Sequence, residues 1–125
     1  MDAGTLLLPL MALDRIRRQL AEDCLVQRYE IGRAAREGLP GREGFFSACT
    51  FWLVEAMAGA GQAEEAQLLF EKMLSFANHL GLYAEEIGSK GELLGNFPQA
   101  LTHLALVSAA YKLDHVLDEG TYGRR

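Results

Sequence analysis

The sequence predicts an all-α fold, a partial α/α toroid built of helical hairpins, and two observations carry that prediction. Helices apolar around nearly their whole circumference alternate with amphipathic ones, in the order apolar, amphipathic, apolar, amphipathic, apolar, the pattern of an inner ring of helices wrapped by an outer one. Connections from an inner helix to the following outer one are short (Ala12 to Asp14, Gly59 to Gln62), whereas those from outer to inner are long (Glu30 to Gly44, Gly81 to Asn96). Both long loops therefore gather where inner helices begin, and helix N-termini favour anionic groups there. About two and a half hairpins cannot close a ring, so apolar flanks are expected to stay exposed unless the chain pairs with something.

Each element rests on its own pattern. Ala3 to Leu13 is almost unbroken apolar and reads as a short helix, kinked or begun at Pro9. Asp14 reads as the N-cap of a second helix that places Ile16, Leu20, Cys24 and Leu25 on one side and Arg15, Arg17, Arg18, Gln19 and Glu22 on the other. Glu30 to Gly44 has no periodicity and reads as a long loop. Phe45 to Ala60 is apolar all round, with Glu55 its single charge. After a turn at Gly61-Gln62, the run to Leu80 sets Ala66, Leu69, Phe70, Met73, Leu74 and Ala77 opposite Glu64, Glu65, Gln67, Glu71 and Lys72. A last apolar helix spans Pro98 to Leu117, with Asn96 or Phe97 near its cap and Pro98 in its first turn. The domain is expected to occupy residues 1–119 and the tail, 120–125, to fray.

Composition removes several classes of function. A chain of 125 residues, half of them apolar, suits one modest domain with a real core. Its net charge of −5 and scattered basic residues offer no stripe for a phosphate backbone, so no nucleic-acid partner is expected. Cys24 and Cys49 have neither disulfide-framework nor zinc spacing and read as small core side chains. The apolar run from Thr5 to Leu13 is too short to span a bilayer and lacks the flanks of a signal peptide, so a soluble, cytoplasmic chain with no membrane partner is expected.

Chemistry concentrates between Gly81 and His103. Gly88, Gly91 and Gly95 exclude regular helix, which leaves Glu85 and Glu86 in a loop just before a helix. An acidic pair in a loop is either solvated charge or catalytic machinery. Tyr83, beside it, either stacks on a sugar ring or packs inward. Trp52 reads as core ahead of a sugar-stacking ring, His103 as a satisfied core histidine ahead of a catalyst, His79 and His115 as surface residues, and Asn96 as a helix cap ahead of a substrate contact.

Three blocks of residues then resemble a known family. They are Asp2-Ala3 with Leu6-Leu7-Leu8-Pro9-Leu10; Glu37-Gly38-Leu39-Pro40-Gly41-Arg42-Glu43-Gly44-Phe45 leading into Cys49-Thr50-Phe51-Trp52-Leu53-Val54-Glu55-Ala56; and Ala84-Glu85-Glu86-Ile87 followed by Gly91-Glu92-Leu93-Leu94-Gly95-Asn96-Phe97-Pro98-Gln99-Ala100. Together they resemble the C-terminal part of the catalytic domain of glycoside hydrolase family 15, the bacterial glucoamylase-like and trehalase-like enzymes. The resemblance implies a six-hairpin toroid that hydrolyses terminal α-glucosidic bonds with inversion, using two carboxyl groups and neither metal nor other cofactor. Inversion needs those carboxyl groups about 6.5–9.5 Å apart, to leave room for the attacking water.

Residue by residue, the resemblance makes Glu85 the general base. Glu86 then orients Glu85 or meets substrate, and Glu43 either reaches a sugar hydroxyl or is solvated. No block corresponds to the family's general acid. Gly88 stands where the family usually has Asp, the loop from Ile87 to Gly91 is one residue shorter, Arg42 replaces a frequent Gly, and the join from Met11 to Asp14 is short, as though an inner helix were fused to its outer partner. The expectation is a truncated relative, inactive alone, whose substrate is an α-glucoside or oligosaccharide and whose toroid an upstream polypeptide completes. Two rivals stand beside it. One is a sugar-binding relative without catalysis. The other is a tetratricopeptide-like interaction module, since Gly61-Gln62-Ala63-Glu64-Glu65-Ala66 and Gly95-Asn96-Phe97-Pro98-Gln99-Ala100 are offset by that repeat's period.

Overall fold

The computed structural model describes residues 3–22, 25–27 and 44–122. The expected loop from Glu30 to Gly44 lies outside the described residues except for Gly44, and with it lie Arg42 and Glu43; Cys24 and the last three residues of the tail lie outside them too. The fold is mostly helical, as expected. Its elements in order are α1 (Ala3–Leu20), β1 (Ala21–Glu22), β2 (Leu25–Val26), β3 (Phe45–Phe46), α2 (Ser47–Gly59), α3 (Ala63–Leu74), β4 (Glu86–Ile87), β5 (Leu93–Leu94) and α4 (Ala100–Tyr122).

The first two expected helices are one. α1 runs unbroken past Pro9 and across the short join, so Asp14 caps nothing. Its carboxylate meets Arg18 at 2.9 Å, one turn further along the same helix, the ordinary use of an acidic residue on an exposed helix face. The helix also stops before Cys24 and Leu25. There the backbone turns into the antiparallel pair β1–β2, with Ala21 opposite Val26. Leu25 and Val26 are buried, and the Val26 N–H donates to the buried Thr50 hydroxyl on α2 at 3.0 Å.

α2 is the expected inner helix. Ser47, Ala48, Thr50, Phe51, Leu53, Val54, Met57 and Ala58 are all buried, which covers most of its circumference. It packs chiefly on α4 and then on α3. Trp52 departs from the core assignment: it is 47% exposed, because helical spacing turns it away from Phe51 toward the side of Ile16, where no further helix of the described residues covers it.

α3 is amphipathic as expected, burying Ala66, Leu69 and Met73, and Glu64 and Glu65 in its first turn suit the positive end of the helix dipole. It ends at Leu74 instead of continuing to Leu80. Asn78 ends the matter locally: its Oδ1 accepts from the N–H groups of Leu80 and Leu82 at 3.0 and 2.9 Å, an arrangement that competes with helix.

α4 begins at Ala100, two residues after Pro98, and extends to Tyr122, into the segment expected to fray. It buries a narrow stripe, Thr102, Ala105, Ala109 and Leu113, against α2 and α3. Leu101, Leu104, Val107 and Tyr111 lie exposed on another face, which is the apolar flank an unclosed ring was expected to leave. Among the described residues no helix is long and apolar enough to cross a membrane.

The second long loop is not structureless. β4 and β5 form a hairpin, and β3 adds to its outer edge, giving the order β3-β4-β5 with Phe46 opposite Glu86 and Glu86 opposite Leu94. The end of the first long loop is thereby hydrogen-bonded to the second, so the two do meet at the start of the inner helices. The hairpin also removes the tetratricopeptide reading, whose second helix would have to occupy the same stretch.

Candidate active site

The chain enters the acidic pair through residues laced to the first turn of α4. Tyr83 N–H donates to His103 Nε2 at 3.2 Å, and the Tyr83 carbonyl accepts from Gln99 N–H at 3.1 Å. Because Nε2 accepts, Nδ1 carries the ring proton and donates it to the Gln99 carbonyl, 2.6 Å away. His103 is thus a satisfied structural histidine, as expected. The Thr102 hydroxyl lies 3.3 Å from the Ala84 carbonyl and 2.7 Å from the Gln99 side-chain amide. A single hydroxyl proton serves one acceptor; with the Gln99 amide turned so that its nitrogen donates to Thr102, both contacts are satisfied.

Tyr83 packs inward. It is 4% exposed, its ring set edgewise against Phe51 (5.7 Å between centroids) and His103 (5.8 Å), and its hydroxyl donates to the Leu74 carbonyl at 3.4 Å. Burial pushes its phenol pKa up from 10.0. With its faces enclosed the ring offers no stacking platform in this chain, and it serves instead as a post beneath the loop.

Glu85 comes next and is held at backbone and side chain. Its N–H donates to the Asn96 carbonyl at 2.9 Å, and its carbonyl accepts from Ser47 N–H, the first residue of α2, at 3.0 Å. That second bond satisfies an N–H which a helix start leaves without an internal partner. Ser47 also buries a hydroxyl with no hydrogen-bond partner among the described residues. The Glu85 side chain is partly buried. Its Oε2 accepts both the backbone N–H of Asn96, at 3.1 Å, and the Asn96 side-chain amide, at 2.9 Å. Oε1 has no hydrogen-bond partner among the described residues.

Glu86 faces elsewhere, as alternation along an extended chain requires. Its Oε2 accepts from Gly44 N–H at 3.4 Å, which ties it to the last residue of the first long loop. Glu43, the neighbour of Gly44, lies outside the described residues. Glu85 and Glu86 therefore bond to different parts of the chain, Asn96 and Gly44. The turn beyond them explains one departure from the family pattern. A Cβ on Gly88 would come within 2.7 Å of the Glu92 carboxyl carbon. Glu92 accepts from Lys90 N–H at 2.8 Å and from its own N–H, and these bonds hold its carboxyl below the ordinary 4.5. The Glu92 carboxylate thus occupies the space a side chain at residue 88 would need.

Sequence reasoning preferred Asn96 as a helix cap and missed its contact with Glu85. α4 starts at Ala100, so Asn96 is too far upstream to cap it, and its side chain turns back to Glu85 instead. No sequence signal announced this contact; the hairpin shows it, because continuing the β4–β5 register by one step sets Glu85 opposite Gly95, beside Asn96. Among the described residues no group of three His, Cys, Asp or Glu could hold a metal. A groove of about 680 Å³ between α3 and α4, and another of about 330 Å³ beside Arg17, Leu53 and Leu68, are both apolar, and neither is lined by Glu85 or Glu86.

A mostly helical scaffold of inner and outer helices is consistent with part of an α/α toroid. The chain belongs to glycosyl hydrolases family 15, whose profile matches residues 9–111. It is similar to the trehalase of Mycolicibacterium smegmatis, 52% identical over 95 residues covering 75% of this chain and 14% of that protein. It is also similar to the trehalase of Thermoplasma volcanium, 40% identical over 130 residues covering 93% of this chain and 20% of that one, and to trehalase 1 of Sulfolobus acidocaldarius, 33% identical and covering 80% and 17%. The chain thus spans at most a fifth of the length of these relatives. No solved structure matches it.

Proposed function

We propose that this chain carries the general-base half of an inverting α-glucosidase site, with Glu85 as the base and trehalose or a related α-glucoside as substrate. Water held at Glu85 Oε1 gives its proton to that oxygen while its own oxygen bonds to the anomeric carbon. The glycosidic oxygen leaves on the opposite side, protonated by a carboxylic acid from another part of the toroid. The observation that carries this reading is the asymmetry of the Glu85 carboxylate, with Oε2 doubly bonded by Asn96 and Oε1 without a hydrogen-bond partner among the described residues. The relatives' names support the substrate class. Glu86, bonded to Gly44, is a substrate contact beside Glu85 and not the acid. Glu43 belongs with it as a sugar contact on the adjoining loop.

The remaining hairpins and the acid come from an upstream polypeptide that covers the α4 face of Leu101, Leu104, Val107 and Tyr111. The chain alone is expected to be inactive on glycosides. The test mixes purified chain with the N-terminal portion of the Mycolicibacterium smegmatis trehalase and measures glucose from trehalose, maltose and maltooligosaccharides. Glucose release by the mixture that falls at least about a hundredfold in Glu85→Gln supports the assignment. Release that survives Glu85→Gln refutes it. Sugar binding without turnover, in the chain and in the mixture, selects the non-catalytic relative instead.

A further inference from the structure

We propose that Asn96 is a positioning residue for Glu85, one that fixes which carboxylate oxygen faces water, and that Gly95 exists to let it do so. The inference rests on the reading of Glu85 as base. A glutamate carboxylate turns easily about its last torsion, since that torsion is broad, so an unrestrained base presents either oxygen in varying orientations. Asn96 removes that freedom from three directions. Its carbonyl takes the Glu85 N–H, while its own N–H and its side-chain amide both donate to Oε2. Three bonds between two residues fix the carboxylate plane and leave Oε1 as the oxygen available to a nucleophilic water.

The approach is possible because residue 95 has no side chain. Gly95 adopts φ +73°, a conformation L residues rarely take, and a Cβ there would lie 2.9 Å from Glu85 Oε2 and 3.1 Å from Glu85 Cβ. The competing role for Asn96, capping α4, is closed to it. α4 begins at Ala100, so its N-cap position is Gln99, three residues after Asn96.

The primary test needs no turnover. In NMR spectra of the ¹³C,¹⁵N-labelled full-length chain, the backbone and side-chain amide signals of Asn96 should move in a single acid step together with the Glu85 carboxyl carbon. The step should vanish in Glu85→Gln. Asn96 signals that ignore the Glu85 titration, or that titrate unchanged in Glu85→Gln, overturn the proposal. The second arm uses α-glucosyl fluoride with the complemented chain. Fluoride leaves with its bonding pair and needs no acid, so only water, its proton acceptor and the sugar pocket are interrogated: the C–F bond breaks, the water oxygen bonds to carbon, and Glu85 takes the proton.

Asn96→Asp keeps size but replaces the donor with an acceptor. It should lower kcat at least about tenfold with KM within about twofold. A kcat that stays at the wild-type level in Asn96→Asp while Glu85→Gln abolishes fluoride release overturns the positioning role. Fluoride release equal in wild type and Glu85→Gln counts against Glu85 as base, and the titration then decides Asn96 by itself.

Discussion

The two inner helices, α2 and α4, have much the same apolar character and very different surroundings. α2 is wrapped by α4, α3, β2 and part of α1, and Phe51, Val54, Met57 and Ala58 are buried. α4 is covered along Thr102, Ala105, Ala109 and Leu113 but leaves Leu104 68% and Tyr111 77% exposed. Hydrophobicity around a whole helix therefore records how many neighbours the fold needs. It does not say which of those neighbours this chain supplies.

The largest effect that sharpens the contrast belongs to α2. Phe51→Ala empties a fully buried ring position against Phe70 and Tyr83, and should cost about 3–5 kcal/mol in a denaturant titration. A loss below about 1 kcal/mol would show that α2 is not the packed centre. Gly95→Ala comes next. It combines a disfavoured φ with a collision against Glu85, so a loss of about 1–3 kcal/mol is expected, and the Asn96 amide signals should shift with it.

On α4 the same kind of change should be nearly silent. Leu104→Ser should alter the stability of the chain alone by no more than about 0.5 kcal/mol. It should weaken association with the complementing N-terminal portion, measured by calorimetry; unchanged association would mean that this face is not the one covered. The smallest effect concerns pH. Because the folded-state carboxyl of Glu92 titrates below its ordinary 4.5, its contribution is present above that value and fades as pH falls through the lowered one. Glu92→Gln should therefore flatten the pH dependence of stability on the acid side, with no change in slope near neutrality.

What was legible in the sequence follows from the same physics. Period and polarity identify α2, α3 and α4 because those signals accumulate over several turns. They misplace the ends, since Asn78 and the buried Thr50 hydroxyl draw the backbone out of helix through contacts that no local pattern announces. The strands β4 and β5 have two residues each, too few for an alternating pattern to be read. Without the hairpin there was no register, and without register Asn96 had no visible reason to meet Glu85. The acidic pair itself was legible through the block that ends in Gly95-Asn96-Phe97-Pro98-Gln99-Ala100. The inward turn of Tyr83 was not, because an aromatic beside a loop acid has the same sequence whichever way it faces.

The bond from Ser47 N–H to the Glu85 carbonyl makes the beginning of α2 a remote gauge of the loop. Deuterium uptake at that amide, followed by mass spectrometry on a peptide that contains no acidic residue of the pair, would report whether the 85–96 hairpin is seated or lifted. Any ligand that seats it more firmly would be detected there without a label, a chromogenic sugar or a turnover event.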